Sequence, residues 1–445
     1  MCALGTFAYA FASLGIGAPK HSAALASEST GRLQDGALWR IKVPERWNGT
    51  LLLYSHGYSA IVQVPALAPA GLEQWLLDRG YALAASSYAR GGWAVAEAVP
   101  DQLGTLTTFI RRVGKPRETI AWGESMGGLV TIALAEQPNP QITGALSACG
   151  SISGSLAMMN LALDGAYAFK VLLAADSGIE LVKVTDDRAN AGLAEGALRV
   201  AMSTPTGRAR VALAGVLAGL PAWRGVTPTG LEPSEADAQL SILAESFVRG
   251  VFLPRQDQAR RAGGVYSWNT GVDYREQLRK SGRRRWVEYF YRRAGLDLDR
   301  DLAALNAAPR ISAAREAVRY MGAHYEPTAA PHVPLLSYHT VGDGMTSPVL
   351  QGGYARAVMP DEASTEFRAV WVNAWGHCTF SKAEHIAALD ALEHRLRSGL
   401  WAVTPVELKA RAAALAGAEA RFTDFSPPPL TRPCFRDGRG CSGHP

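Results

Sequence analysis

The sequence has little of several features that would mark a specialised class of protein. Its 445 residues carry a formal net charge of only +5, and 19% of them are charged, so nucleic acid is not an expected partner. The basic cluster at residues 280–293 (KSGRRRWVEYFYRR) is interpreted as a solvated helix face. Beyond the first residues there is no apolar run long enough to cross a membrane, so stable membrane insertion is not expected either. A hydrophobic content of 48% argues against disorder and predicts a large globular protein.

The N-terminus is ambiguous. Residues 2–18 are apolar and small, and Ala24-Leu25-Ala26 has the A-x-A form of a signal-peptidase site. There is no basic segment ahead of them, and Lys20 and His21 interrupt the run. Residues 1–30 are predicted to be the signal peptide of an exported, periplasmic or extracellular protein. The alternatives are an N-terminal extension and a cytoplasmic protein.

A glycine-flanked serine is the most informative motif. Residues 119–122 (TIAW) predict a buried strand and residues 126–136 a helix, with the pentapeptide G-E-S-M-G between them. Because a strand that turns directly into a helix leaves no room for a Cβ beside its apex, Gly123 and Gly127 fit the places on either side of Ser125. This pattern predicts a nucleophile elbow. The alternative is a tight turn whose serine only caps the helix.

The order of predicted elements indicates a doubly wound, mostly parallel α/β sheet that is interrupted once. Strands and helices alternate up to residue 150, helical patterning follows up to residue 331, and the alternation then resumes. No fixed-period repeat is present. The predicted organisation after the N-terminal segment is a first core part (31–150), a helical lid insertion (151–331), a second core part (332–400), and a C-terminal helix with a proline-rich tail (401–445).

A serine nucleophile needs a base and an orienting carboxylate, which in this fold follow it in the order acid, histidine. His377 is the one of the nine histidines predicted to lie on a loop between the last core strand and the last core helix. Asp343 directly follows the strand that resumes after the insertion, between two glycines. Asp361 is the competing acid, although its surroundings indicate a turn at the far edge of the sheet. The sequence therefore predicts a triad of Ser125, Asp343 and His377.

Two backbone N–H groups are predicted to hold the oxyanion that forms during acyl transfer. One is that of Met126, the residue after the nucleophile, and the other that of Tyr58, on the loop after the strand that ends at Ser55. The ring of Tyr58 could also form a wall of the acyl site. The alternative for Tyr58 is a loop aromatic packed against the insertion.

Together these motifs resemble the α/β-hydrolase superfamily of serine esterases, over residues 35–150 and 333–400. The sequences GESMGG and HGY resemble the elbow and oxyanion loop of lipases and cutinase-like polyester hydrolases. His377-Cys378 and the large insertion are similar to those of the tannase and feruloyl-esterase group. That group has a cysteine directly before its serine, where Glu124 stands in this chain.

The function expected from these residues is hydrolysis of a carboxylic ester through an acyl-enzyme. The substrate is expected to be a bulky or hydrophobic ester, a small molecule or a polymer, because a large lid usually forms a pocket wall. No metal or organic cofactor is implied, since the His and Cys residues lack zinc spacing. The alternatives are amide or peptide cleavage with the same triad, and a non-catalytic binding protein of the same fold. The sequence does not indicate an oligomeric state.

Cysteine is also scarce, with five residues in the chain. If Cys2 leaves with a signal peptide, four cysteines remain, which allow three pairings: Cys149, Cys378, Cys434 and Cys441. Cys434 and Cys441 flank an Asp-Gly turn and are predicted to pair locally. Cys149 and Cys378 are both predicted to lie near Ser125 and to pair with each other. The alternative is buried thiols in a reducing compartment.

Overall fold

Nine β-strands among the described residues form one sheet. The structure, a computed structural model, describes residues 25–226, 235–358 and 366–441. The strands are β1 (Leu25–Arg32), β2 (Leu38–Pro44), β3 (Thr50–Ser55), β4 (Ala82–Ser86), β5 (Glu118–Glu124), β6 (Gly144–Ala148), β7 (Leu335–Gly342), β8 (Phe367–Trp375) and β9 (Phe422–Thr423). Their order in the sheet is β1-β2-β4-β3-β5-β6-β7-β8-β9. The six strands from β4 to β8 in this order are parallel, and the pairs at the two edges are antiparallel.

Helices cover both faces of this sheet, which confirms the predicted doubly wound α/β class. The helices of the core are α1 (Glu73–Asp78), α2 (Val95–Arg112), α3 (Met126–Ala135), α13 (Pro348–Val358), α14 (Lys382–Ser398) and α15 (Pro405–Ala416). One apolar cluster joins the sheet to α2 and α3, and another joins the opposite face to α1, α14 and α15. The central strands are mostly apolar because both of their faces are covered: every residue of β3, β6 and β7 is buried.

Between β6 and β7 the described chain is helical and contributes no strand to the sheet. Its helices are α4 (Ser155–Leu173), α5 (Asp187–Met202), α6 (Pro205–Leu217), α7 (Ala236–Val251), α8 (Gln256–Ala262), α9 (Tyr274–Lys280), α10 (Arg284–Arg293), α11 (Leu298–Ala307) and α12 (Arg315–Tyr325). Most of them share a second hydrophobic core. The first half of α4 packs on the sheet and its second half lies in the core of the insertion, so this helix connects the two.

Helix α4 is also long and apolar enough to cross a membrane. However, 78% of its most apolar window is buried inside the protein. Core helices of soluble proteins have the same composition, so its hydrophobicity has a structural explanation in the packing just described.

Packing and capping set several helix boundaries. Helix α2 contains Pro100 and begins ahead of it, because Val95 and Ala98 of its first turns are fully buried and packing stabilises them. The helical pattern of residues 191–220 is divided between two helices, since Thr204 caps a new start at Pro205. That of residues 303–321 is likewise divided, with Pro309 between α11 and α12.

The two edge strands were not predicted. Strand β1 is polar, and it is held by antiparallel pairing with β2 over residues that the sequence assigned partly to an N-terminal extension ending at residue 30. Strand β9 has two residues and pairs with β8. Ala24 of the predicted cleavage motif lies outside the described residues, and so does the competing acid Asp361.

Candidate active site

Ser125 lies at the turn between β5 and α3 in a conformation that non-glycine residues seldom adopt. Its backbone has φ 59° and ψ −123°. A Cβ at Gly123 would lie 2.1 Å from the carbonyl oxygen of Gly127, and a Cβ at Gly127 would lie 2.0 Å from the carbonyl oxygen of Ser55. Both glycines are therefore required by the close approach of backbone to backbone that the sequence predicts for an elbow.

Alanine at either elbow glycine should destabilise the fold. Because the atoms it would strike belong to the backbone, we expect Gly123→Ala and Gly127→Ala to lower the free energy of unfolding by about 3 kcal/mol or more. Gly192→Ala is the matched control, since Gly192 lies on exposed α5 with open space around its Cβ position. That change should raise stability by about 0.5–1 kcal/mol. Urea unfolding of the three variants measures this, and an elbow variant as stable as the parent would contradict the assignment.

The structure brings together the three residues of the predicted triad. They lie on loops at the carboxyl ends of parallel strands: Ser125 after β5, Asp343 after β7 and His377 after β8. His377 Nε2 is 2.8 Å from Ser125 Oγ, and His377 Nδ1 is 2.7 Å from Asp343 Oδ2. The imidazole therefore bridges the hydroxyl and the carboxylate, an arrangement that can move a proton from Ser125 to His377.

Hydrogen-bond donors on the following turn hold the carboxylate of Asp343 in place. Asp343 is fully buried, and its Oδ1 accepts hydrogen bonds from the backbone N–H groups of Met345 (2.8 Å) and Thr346 (3.0 Å). Burial works to raise the pKa of Asp343, but the charge and hydrogen bond of His377, together with these donors, lower it below its ordinary value. Asp343 is thus ionised when it faces His377.

Thr346 is a site residue that the sequence analysis missed. Its Oγ1 lies 2.8 Å from Asp343 Oδ2, 3.1 Å from His377 Nδ1 and 2.9 Å from the carbonyl oxygen of Cys149. The spacing Asp-x-x-Thr is a local signal for it, because an aspartate commonly accepts hydrogen bonds from the residues that follow it in a turn.

A second histidine, His339, lies beside the acid. It is fully buried on β7, with Nε2 2.7 Å from the carbonyl oxygen of Thr346 and 3.4 Å from Asp343 Oδ2. Burial lowers its pKa to about 4, so it is neutral at pH 7 and adds no charge beside the acid.

The predicted oxyanion donors lie on the two segments that meet beside Ser125. Met126 is the first residue of α3, and among the described residues no acceptor takes its N–H or that of Tyr58. The loop after β3 passes close to the serine at Gly57, where a Cβ would lie 3.2 Å from Ser125 Cβ. His56 fixes this loop by stacking on Tyr88 with ring centroids 4.1 Å apart, and by placing its Nδ1 2.7 Å from the carbonyl oxygen of Gly57.

Glu124 forms a second carboxylate centre beneath the elbow. Its Oε2 accepts a hydrogen bond from Tyr54 Oη at 2.6 Å, and its Oε1 lies 3.7 Å from His385 Nε2. Burial raises the pKa of Glu124. For His377, burial works to lower the pKa, but the charges of Asp343 and, to a smaller extent, Glu124 raise it above the ordinary value of 6.5.

The pH dependence of turnover follows from that balance. A base must be neutral to accept a proton, so activity should fall as the pH drops through the raised pKa of His377, which puts the acid limb above pH 6.5. Removing the charge with Glu124→Gln lowers that pKa, so the limb should move to lower pH. Glu393→Gln is the matched control. Glu393 also accepts a hydrogen bond from a tyrosine, Tyr81 Oη at 2.9 Å, but it lies outside the candidate active site. A kcat/KM profile that shifts equally in both variants would contradict the role of Glu124.

Both predicted disulfides are present in the structure: Cys149–Cys378 and Cys434–Cys441. The first joins the residue after β6 to the residue after His377, and Cys378 Sγ lies 3.4 Å from His377 Nε2. Although Cys149, His377 and Cys378 cluster closely enough to hold a metal ion, the two sulfur atoms are bonded to each other. This cluster is therefore a covalent link between two loops of the site.

The strand order, the elbow after β5 and the chain order serine, aspartate, histidine define the α/β-hydrolase fold. The chain is 28% identical to the o-phthalyl amidase of Xanthobacter agilis over an alignment of 429 positions, and the alignment covers 89% of this chain and 93% of the amidase. No protein-family model matches the sequence.

Solved structures with a similar fold include two esterases. Feruloyl esterase B from Aspergillus oryzae superposes with a TM-score of 0.41 at 14% identity, covering 84% of this chain and 80% of the esterase. The rice cell wall degrading esterase LipA from Xanthomonas oryzae gives a TM-score of 0.35 at 12% identity, covering 78% of this chain and 82% of LipA.

Proposed function

We propose that the protein is a serine hydrolase that cleaves a carboxylic acid derivative through an acyl-enzyme. The observation that carries this proposal is the hydrogen-bonded line from Ser125 Oγ through the His377 ring to Asp343 Oδ2, with contacts of 2.8 and 2.7 Å. A buried, ionised carboxylate at its end favours proton transfer to the imidazole, which is the requirement for a serine nucleophile.

In the proposed reaction Ser125 Oγ attacks the carbonyl carbon and passes its proton to His377 Nε2. Asp343 stabilises the imidazolium that forms, and the N–H groups of Met126 and Tyr58 stabilise the oxyanion. His377 then donates the proton to the leaving alcohol or amine. A water molecule, deprotonated by the same ring, releases the acid and restores Ser125.

The substrate cavity is proposed to lie on the Tyr58 side of Ser125. A cavity of about 400 Å³ is lined by residues of the loop that contacts the serine, among them Gly57, Tyr58 and Val64. Tyr58 and Val64 are large apolar side chains that stay exposed there. These features support a hydrophobic acyl or leaving group, since such patches usually mark binding sites.

The helical insertion, residues 151–331, is proposed to act as the lid of this cavity. Asp257 of α8 accepts a hydrogen bond from the backbone N–H of Trp93 at 2.8 Å, and Arg261 donates to the carbonyl oxygen of Gly91 at 2.8 Å. A Cβ at Gly250 of α7 would lie 2.2 Å from the carbonyl oxygen of Gly344, next to the acid. The insertion thus contacts loops on two sides of the site.

Ester and amide substrates are the two candidates. An exposed apolar loop beside the serine supports a bulky ester, whereas similarity to the o-phthalyl amidase over most of both chains favours an amide of an aromatic acid. The same proton transfers serve both, because His377 can protonate an amine as well as an alcohol.

A substrate comparison tests the proposal. Purified protein would be assayed with p-nitrophenyl esters of increasing acyl size and with the p-nitroanilide of o-phthalic acid, alongside Ser125→Ala. We expect the parent protein to hydrolyse either the esters or the anilide, and Ser125→Ala to hydrolyse neither. A fluorophosphonate should label Ser125 covalently in the parent. Folded protein that neither turns over any of these substrates nor labels would support the binding-protein alternative.

The two disulfides also support export. Disulfides form and persist in oxidising compartments such as the periplasm and the extracellular space. Peptide mapping without reduction would test this, since four free thiols in protein recovered from an oxidising compartment would contradict it.

A further inference from the structure

The basic cluster at residues 280–293 is not uniformly solvated as the sequence suggested. Arg283, which precedes α10, is only 7% exposed. Its guanidinium lies between two indole rings, with Cζ 5.5 Å from the ring centroid of Trp223 and 5.3 Å from that of Trp286. Nη1 donates a hydrogen bond to the carbonyl oxygen of Leu220. The predicted solvated face is therefore wrong at this position, because the chain turns the side chain inward.

This arginine has no acidic partner among the described residues. Its Nε and Nη2 are shielded from solvent and have no hydrogen-bond acceptor there. Burial alone lowers the pKa of Arg283 to about 9. Arg432, another deeply buried arginine, differs in that its Nη1 is 2.6 Å from Asp164 Oδ2. Burying a cation without an anion beside it destabilises the folded protein, because the charge loses its hydration. An anion that binds from solution would offset part of that loss.

A large cavity provides the space for such an anion. It measures about 960 Å³, and Arg283 is one of its lining residues. Its wall includes the aromatic and proline residues Trp223, Trp286, Trp371, Phe425 and Pro427 to Pro429. Arg285 adds a second cation to the wall and Asp424 a carboxylate. This cavity shares no lining residue with the triad or with the proposed substrate cavity beside Tyr58, so the two cavities are distinct.

We propose that this cavity is a second ligand site, which binds an aromatic carboxylate. The carboxylate would pair with the Nε–Nη2 edge of Arg283, which neighbouring side chains must first uncover to the cavity, and the ring would pack among the tryptophans. A cavity with mainly apolar walls, two arginines and one carboxylate has a net positive lining, so it favours a flat apolar body with a single anionic end over a small inorganic anion. The proposal does not depend on the chemistry at Ser125.

Benzoate is the probe for this site, with benzamide and acetate as controls. Benzamide keeps the ring and lacks the charge, whereas acetate keeps the charge and lacks the ring. We expect titration calorimetry and tryptophan fluorescence to report benzoate binding at least about tenfold tighter than either control, which corresponds to about 1.4 kcal/mol. Equal binding of benzoate and benzamide would overturn the proposal.

Variants then locate the binding. Arg283→Met should weaken benzoate binding at least tenfold, and Ser426→Trp, which fills the cavity from an exposed lining residue, should do the same without touching the arginine. His377→Ala should leave binding unchanged. The opposite pattern, with benzoate lost in His377→Ala and kept in Arg283→Met, would put the ligand at the triad and refute the second site.

Folding of the variants is checked by their thermal transitions. Arg283→Met removes an unpaired buried charge, so its Tm should not fall. If that variant does not fold, the arginine has a structural role, and Ser426→Trp together with the benzoate–benzamide comparison still decides the matter. Benzoate binding that persists in a folded Ser426→Trp protein would overturn the proposal.

Discussion

Ser125→Ala, His377→Ala and Asp343→Asn should each lower kcat/KM by about 10⁴-fold or more without unfolding the protein. Each change breaks the line of contacts from Ser125 Oγ to Asp343 Oδ2 at a different atom. Because the three side chains act as a unit, the double variant Ser125→Ala/His377→Ala should lose no more than a few-fold beyond either single change. Steady-state assays on the best substrate, with circular dichroism as the check on folding, measure these effects.

Asp361→Asn is the control for the choice of acid. Sequence alone left Asp361 as a competitor, while Asp343 is the carboxylate that contacts His377 in the structure. We expect Asp361→Asn to retain activity within a few-fold of the parent. A large loss there combined with a mild one in Asp343→Asn would show that the acid has been assigned to the wrong residue.

Removing the Cys149–Cys378 disulfide should lower both stability and turnover. The bridge closes a loop with a sequence separation of 229 residues, and in the chain-entropy model a loop of this size contributes about 5.5 kcal/mol. It also fixes the residue next to His377, so a Cys149→Ala/Cys378→Ala protein should place the imidazole less accurately. We expect kcat/KM to fall about 10- to 100-fold at temperatures where the protein is still folded.

The second disulfide gives a matched control for this prediction. Cys434–Cys441 spans only 7 residues, so Cys434→Ala/Cys441→Ala should cost about 2 kcal/mol and leave turnover unchanged. Urea unfolding and kinetics on both double variants separate stability from positioning. If the Cys149–Cys378 variant keeps full activity while losing stability, the bridge acts on the fold alone.

The parts of the site that could be predicted are those with a local cause. The glycines around Ser125 follow from a close approach within one turn, and His377 follows from its place between a strand and a helix. Thr346 also has a local signal, its spacing from Asp343. Glu124 and Arg283 are different, because their roles depend on which distant residues the fold brings against them: Glu124 meets Tyr54, and Arg283 meets Trp223. Pairwise contacts of this kind have no signature in a single sequence.

The centre of the sheet could be predicted because its strands have a local signal in the sequence, whereas the edges of the sheet could not. Buried parallel strands such as β3 and β7 are nearly continuous apolar runs, which can be recognised in the sequence. Strand β1 is polar and exists through pairing with β2, and the start of α2 depends on burial of Val95 and Ala98. Long-range pairing and burial override local preference at these places.

The large insertion between β6 and β7 has a consequence for biosynthesis. Strand β6 pairs with β5 on one side and with β7 on the other, and β7 is synthesised only after all of residues 151–331. At elongation rates of about 5–20 residues per second, the free side of β6 waits roughly 10–35 s for its partner on the ribosome. Exposed strand edges of this kind recruit other chains. We therefore expect the described helices α4 to α12 to fold around their own core during that interval, which would bring the start of β7 close to β6 as soon as it is synthesised.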